Sequence, residues 1–225
     1  MPERAFRTEI LYMPLYKTIA VNENTTIRIW KIEESYEELL QDINPTAACL
    51  QRVHSMKSDI HRRGFLSVRQ LLRASGYEAE ALYYDTNGKP HLKDNNYISI
   101  THSFGFSAVI ISNAPVGIDI EKQREKITVI ADKFVDYEFG YLTQEDLVRK
   151  LTVIWCAKES LYKVFAVKGM SFKDHTKVIP FLLEDRQTAS WIHYGNQIQK
   201  YQVPFLEFEG FTCAYALRAP LSPEK

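Results

Sequence analysis

Trp155-Cys156-Ala157-Lys158-Glu159-Ser160-Leu161-Tyr162-Lys163 is the stretch on which the reading of this chain turns. It lies inside a helical pattern that starts near Thr143, with Asp146 three residues later as a variant of the capping box. Apolar residues then recur at Leu147, Leu151, Ile154, Trp155, Leu161, Tyr162 and Phe165, close to helical period. Trp155, Glu159 and Lys163 are four apart, so they share one face. By itself that stripe fits an ordinary surface helix. Trp155 would then be core, and Glu159–Lys163 a surface pair contributing about 0.2–0.5 kcal/mol.

A second stretch, Val116-Gly117-Ile118-Asp119-Ile120-Glu121, changes the weighing. It reads as a strand, in which residues two apart point to the same side. Asp119 and Glu121 then project together while Ile118 and Ile120 enter the core. Two adjacent carboxylates on a rigid element repel unless a cation sits between them. Mg²⁺ suits them, because it takes hard oxygen ligands and is often held by one or two carboxylates plus substrate phosphates. The plain alternative is a charged outer face on an edge strand; Glu159 as a third carboxylate argues against it.

Together, V-G-I-D-I-E followed downstream by W-C-A-K-E-S-L-Y-K resembles the signature of the 4'-phosphopantetheinyl transferases, and most of all their larger, two-lobed, single-chain type. Gly88-Lys89-Pro90 and Ile100-Thr101-His102-Ser103 lie upstream in the order the resemblance requires. The recognisable region runs from about Lys89 to Gly169. The resemblance implies an α+β fold of two similar lobes in a pseudo-twofold arrangement, each a long helix on a small antiparallel sheet, with a ligand cleft between them. Residues 1–113 would form the N-terminal lobe and 114–225 the C-terminal lobe of one transferase unit. A long helix followed by antiparallel strands at 46–112, and again at 143–217, is the same organisation read from the pattern.

The activity implied is transfer of 4'-phosphopantetheine from coenzyme A to a serine of an apo acyl or peptidyl carrier protein, as in fatty-acid, polyketide and nonribosomal-peptide synthesis. By resemblance, Asp119, Glu121 and Glu159 would hold Mg²⁺, with Mn²⁺ as an alternative ion. Lys89, Thr101, His102, Lys158 and Lys163 would contact the coenzyme. Threonine stands at 101 where the family usually has serine, and its hydroxyl can make the same hydrogen bond. Arg62 and Arg63, from an arginine-rich helix, would reach a coenzyme phosphate. Trp155 would shape the site. Glu138, ending Phe134-Val135-Asp136-Tyr137-Glu138, lies either near the metal or in a structural cap. Glu159, a metal-bound water or Lys163 would serve as the base.

The rest of the chain sets bounds. With 225 residues, 28 basic and 28 acidic, it carries no formal net charge, so composition points to neither nucleic acid nor a membrane surface. The run Leu11-Tyr12-Met13 is broken by Pro14 and Lys17, so no signal region is expected there. Cys49, Cys156 and Cys213 are widely spaced and odd in number, which fits reduced thiols in a cytoplasmic protein. The two-lobed pattern points to a monomer. Another Mg²⁺-dependent phosphotransferase is the competing enzyme class, but G-x-x-x-x-G-K-[ST] is absent. A silent binding protein is disfavoured by the full set of carboxylates and lysines.

A long helix is expected from Pro45 to about Arg73, and Ser35 to Glu38 reads as a capping box. Lys168 and Lys173 are expected to steer an acidic carrier protein, with Met170 and Phe172 as an apolar alternative.

Overall fold

Among the described residues, short β-branched runs punctuated by Asn, Asp and Gly turns build two larger antiparallel sheets and one two-stranded sheet, and the two longest helices each close one face of a larger sheet. The computed structural model describes residues 15–41 and 43–219. Leu11 to Pro14, on which the signal-region expectation rests, lie outside the described residues.

The chain begins with β1 (Leu15–Asn22) and β2 (Thr25–Lys31), then α1 (Tyr36–Gln41), α2 (Ala47–Ser55) and α3 (Asp59–Ala74). A small hairpin of β3 (Leu82–Tyr84) and β4 (Pro90–Leu92) precedes β5 (Tyr97–Ser103) and β6 (Phe106–Ser112). β7 (Val116–Lys122) and α4 (Lys126–Ile130) lead to α5 (Leu147–Phe165) and α6 (Phe172–His175). β8 (Thr176–Val178), β9 (Gln187–Tyr194), β10 (Gln197–Phe208) and β11 (Phe211–Arg218) follow.

The first sheet has the order β1-β2-β6-β5 and the second β7-β11-β10-β9-β8. The fold is α+β, and every strand pairing is antiparallel. Ile27, Ile29, Ala108 and Ile110 of the first sheet share a core with Ile118, Ile120, Cys213 and Tyr215 of the second. α3 covers the other side of the first sheet through Phe65, Leu66, Val68 and Leu71. α5 covers the second through Leu151, Ile154, Ala157 and Leu161.

The Ser35–Glu38 capping box forms, with Ser35 N–H donating to Glu38 Oε2 at 2.8 Å and Glu38 N–H to Ser35 Oγ at 3.2 Å. Two helix expectations need correction. The stretch from Pro45 to Arg73 is two helices, because Met56 and Ser58 are extended (ψ 129 at both) and Ser58 starts α3. The apolar stripe runs across the break, so periodicity alone could not reveal it. α5 starts at Leu147 rather than near Thr143, because Asp146 takes the cap position in a left-handed conformation (φ 54) and uses its carboxylate on Arg149.

Candidate active site

Gly117 explains how the two signature stretches meet. A Cβ at this position would stand 2.0 Å from the Ser160 carbonyl oxygen, so only glycine lets α5 lie directly against β7. Ser160 Oγ then donates to Ala214 O at 3.0 Å and fixes the helix over the sheet. That packing carries the stripe of Trp155, Glu159 and Lys163 past the carboxylates of β7.

Asp119 is 5% exposed and stands at the centre of the site. Its Oδ1 accepts from Lys163 Nζ at 2.7 Å and from Thr101 Oγ1 at 3.0 Å. Lys163 also donates to Ile118 O at 2.9 Å. Asp119 Oδ2 is buried and has no hydrogen-bond partner. A buried carboxylate oxygen left without a donor is costly, and a cation ligated there would relieve it. Glu121 accepts from Ser103 Oγ at 2.9 Å. Burial, and then the charge of Asp119, raise its pKa. Glu159 is pushed up to about 7, first by burial and then by Asp119, with Lys163 opposing and Glu121 adding to the rise. The charge of Asp119 thus bears on both Glu121 and Glu159, and Glu121 adds to the rise at Glu159.

Hard oxygen donors, mutual repulsion and an orphaned buried oxygen suit Mg²⁺ or Mn²⁺ chemically. Among the described residues, no group of three His, Cys, Asp or Glu side chains stands ready to hold a metal ion. Mg²⁺ characteristically completes its shell with water and substrate phosphate, so an incomplete protein set is compatible with it.

Two cavities flank this centre. One, of about 190 Å³, is lined by Lys89, Pro90, Ser99, Ile100, Tyr162 and Lys163, and so draws on both halves of the chain. Lys89 follows a turn in which Asp85 Oδ1 accepts from the N–H groups of Asn87 and Lys89 at 2.8 and 2.9 Å. Burial lowers the Lys89 pKa, with Asp85 opposing. The other cavity, of about 260 Å³, is lined by Glu121, Arg124, Lys126, Ile130 and Trp155 among others. The Trp155 ring is held edge-on by Phe134 and Phe172 at centroid distances of 5.0 and 5.7 Å.

His102 keeps an exposed edge, and its ring lies over Gly64 of α3, where a Cβ would come within 3.1 Å. The imidazole of His61 stands beside it, with ring centroids 6.3 Å apart. Desolvation on the packed side, then the charges of His61 and Lys163, lower the His102 pKa, while Asp119 pulls the other way. Arg62 Nε donates to Met56 O at 2.8 Å. Arg63 donates to Ile32 O at 3.1 Å, while its Nε is buried without a hydrogen-bond partner.

Lys158 requires a correction. It is fully buried, and its Nζ pairs with Glu138 Oε1 at 2.8 Å. It also donates to Phe134 O, Phe172 O and Thr176 O at 2.7, 3.2 and 3.2 Å. One residue before Glu159, it leaves α5 about 100° round the helix and enters the core rather than facing a coenzyme. Glu138 is equally buried and accepts from Val178 N–H at 2.8 Å, so its place is the structural one. Met170 is 8% exposed and belongs to the core, which removes it from any docking patch. Lys173 donates to Asp132 O at 3.2 Å.

The reading of the sequence passed over Ser103, Ser99, His61, Gly64 and Gly117 as functional parts. The alternation of β5 held the signal for the first two, because Ser99, Thr101 and Ser103 share a face.

Residues 115–216 match the model of a family described as the 4'-phosphopantetheinyl transferase superfamily. The 4'-phosphopantetheinyl transferase gsp of Aneurinibacillus migulanus is 32% identical over 132 residues, which cover 56% of this chain and 54% of that protein. The match thus spans about half the length of that curated relative. The segment that carries β7, α5 and the strands packed against them is thus similar to the 4'-phosphopantetheinyl transferase superfamily.

Proposed function

We propose that this chain transfers the 4'-phosphopantetheine arm of coenzyme A to a serine of an apo acyl or peptidyl carrier protein and releases adenosine 3',5'-bisphosphate. The serine oxygen bonds to the β-phosphorus, the bond from that phosphorus to the bridging pyrophosphate oxygen breaks, and the serine proton passes to a base. Residues 1–113 and 114–225 would act as two lobes in pseudo-twofold relation, with the coenzyme at their junction.

The observation that carries the proposal is Asp119, with one oxygen held by Lys163 and Thr101 and the other buried without a partner. Asp119, Glu121 and Glu159 would hold Mg²⁺, which would supply charge neutralisation on the pyrophosphate and stabilise the departing phosphate. Lys163 lies between the carboxylates and the 190 Å³ cavity, where it can contact the transferring phosphoryl group. Lys89 in that cavity and His102 at the end of β5 would bind the bisphosphate end of the coenzyme. Glu159, Lys163 or a water at the cation would accept the serine proton. Trp155 forms a wall of the opposite cavity and limits how the arm lies.

The test is intact-mass spectrometry of apo carrier proteins incubated with this protein, coenzyme A and Mg²⁺. The expected result is a gain of one phosphopantetheine arm, abolished by EDTA and by Asp119→Ala. Failure of this protein to bind coenzyme A would overturn the reading.

A further inference from the structure

Strands β5 and β7 are outer strands of different sheets. They run side by side, yet among the described residues no main-chain ladder joins them. Three hydroxyls on one face of β5 make the connection instead. Ser99 Oγ accepts from Ile118 N–H at 3.1 Å, and Thr101 Oγ1 accepts from Ile120 N–H at 3.2 Å. Thr101 then donates its own proton to Asp119 Oδ1, and Ser103 donates to Glu121 Oε2. All three are more than nine-tenths buried, at 4%, 6% and 8% exposure. The period of two along β5 matches that along β7, so each carboxylate of the pair meets its own hydroxyl.

A carboxylate with one oxygen tied to a rigid donor has lost its rotational freedom, and its other oxygen points in a fixed direction. Outer-shell donors of this kind set ligand orientation in metal sites. We infer that Thr101 and Ser103 are positioning residues that orient the Asp119 and Glu121 carboxylates toward a divalent cation on the substrate pyrophosphate. The inference rests on the proposed function. It gives Thr101 a role directed inward, at the acid, rather than outward at the coenzyme.

The two hydroxyls separate positioning from simple structural bonding. Thr101 also holds a main-chain N–H, so removing its hydroxyl weakens the seam between the sheets as well. The bond of Ser103 goes to the Glu121 carboxylate, which makes Ser103→Ala the cleaner variant. Mn²⁺ binding would be followed by electron paramagnetic resonance in the presence of coenzyme A, for the wild type, Ser103→Ala, Thr101→Val and Thr101→Ser. Calorimetry would give coenzyme A affinity without metal, and thermal melts would report folding.

Ser103→Ala should weaken Mn²⁺ binding about tenfold or more while metal-free coenzyme A affinity stays within about twofold. Thr101→Val should also lose Mn²⁺ affinity, and Thr101→Ser should recover it. Wild-type Mn²⁺ affinity in Ser103→Ala would overturn the positioning role while leaving the proposed reaction standing. A wild-type protein whose Mn²⁺ binding does not respond to coenzyme A would overturn the site reading and this inference with it.

Discussion

Replacing Lys158 with methionine removes an ammonium shared by three carbonyls and one carboxylate. The acceptors come from two places: Phe134 O and Glu138 Oε1 from the segment before α5, and Phe172 O and Thr176 O from the segment after it. Methionine fills much of the same volume but donates nothing. Glu138 would then be a buried charge with its counter-ion gone, and breaking such a pair by removing one partner costs about 3–5 kcal/mol. At about 2–4 °C of melting temperature per kcal/mol for a chain of this size, the expected fall is roughly 6–20 °C. Thermal or urea unfolding measures it, beside coenzyme A calorimetry at a temperature where the variant is folded. Coenzyme A affinity should hold. The double variant Lys158→Met with Glu138→Leu should regain part of the loss, since removing both partners of a buried pair is far less costly than removing one. A melting temperature unchanged in Lys158→Met, together with a large loss of coenzyme A affinity, would refute the reasoning and return Lys158 to the ligand.

Gly117→Ala should destabilise the protein by about 3 kcal/mol, because the new methyl meets a main-chain oxygen that cannot swing aside; urea unfolding checks it. Glu159→Gln should lower the transfer rate about 10²–10³-fold in a carrier-loading assay. The raised pKa of Glu159 also makes the metal-free fold lose stability as pH rises from its unfolded value near 4.5 to about 7, because the folded state holds the proton longer. The size is at most about 3 kcal/mol before solvent screening. Unfolding curves across that range should slope for the wild type and flatten for Glu159→Gln. In thiol labelling, Cys49 should react in the native protein, whereas Cys156 and Cys213, which are fully buried, should wait for unfolding.

The two signature stretches made the centre of the site legible, because helix and strand periodicities dictate which side chains share a face. Trp155, Glu159 and Lys163 on α5, and Asp119 and Glu121 on β7, follow directly from spacings of four and two. What lies across the contact between elements did not follow. The spacing of four leaves Lys158 off the face that Glu159 shares with Lys163, but only the packing of α5 against the 134–138 segment shows that it turns into the core. The break at Met56–Ser58 was hidden for the opposite reason. Two helices in succession can keep one apolar stripe, and the cap signal at Ser58-Asp59 is short beside it. Gly117 could be read as a strand residue, but its necessity appears only with Ser160 pressed against it.

The seam between β5 and β7 has a consequence outside catalysis. An outer strand with free main-chain donors is an invitation to any other extended chain, and proteins must defend such borders against aggregation. Here two borders defend each other. The N–H groups of Ile118 and Ile120 are taken by the Ser99 and Thr101 hydroxyls, and a foreign strand finds neither of them available. Polar side chains rather than a continuous ladder do the covering, so the sheets do not merge into one. The protein thereby keeps its most chemically charged strand at a border while closing that border to recruitment.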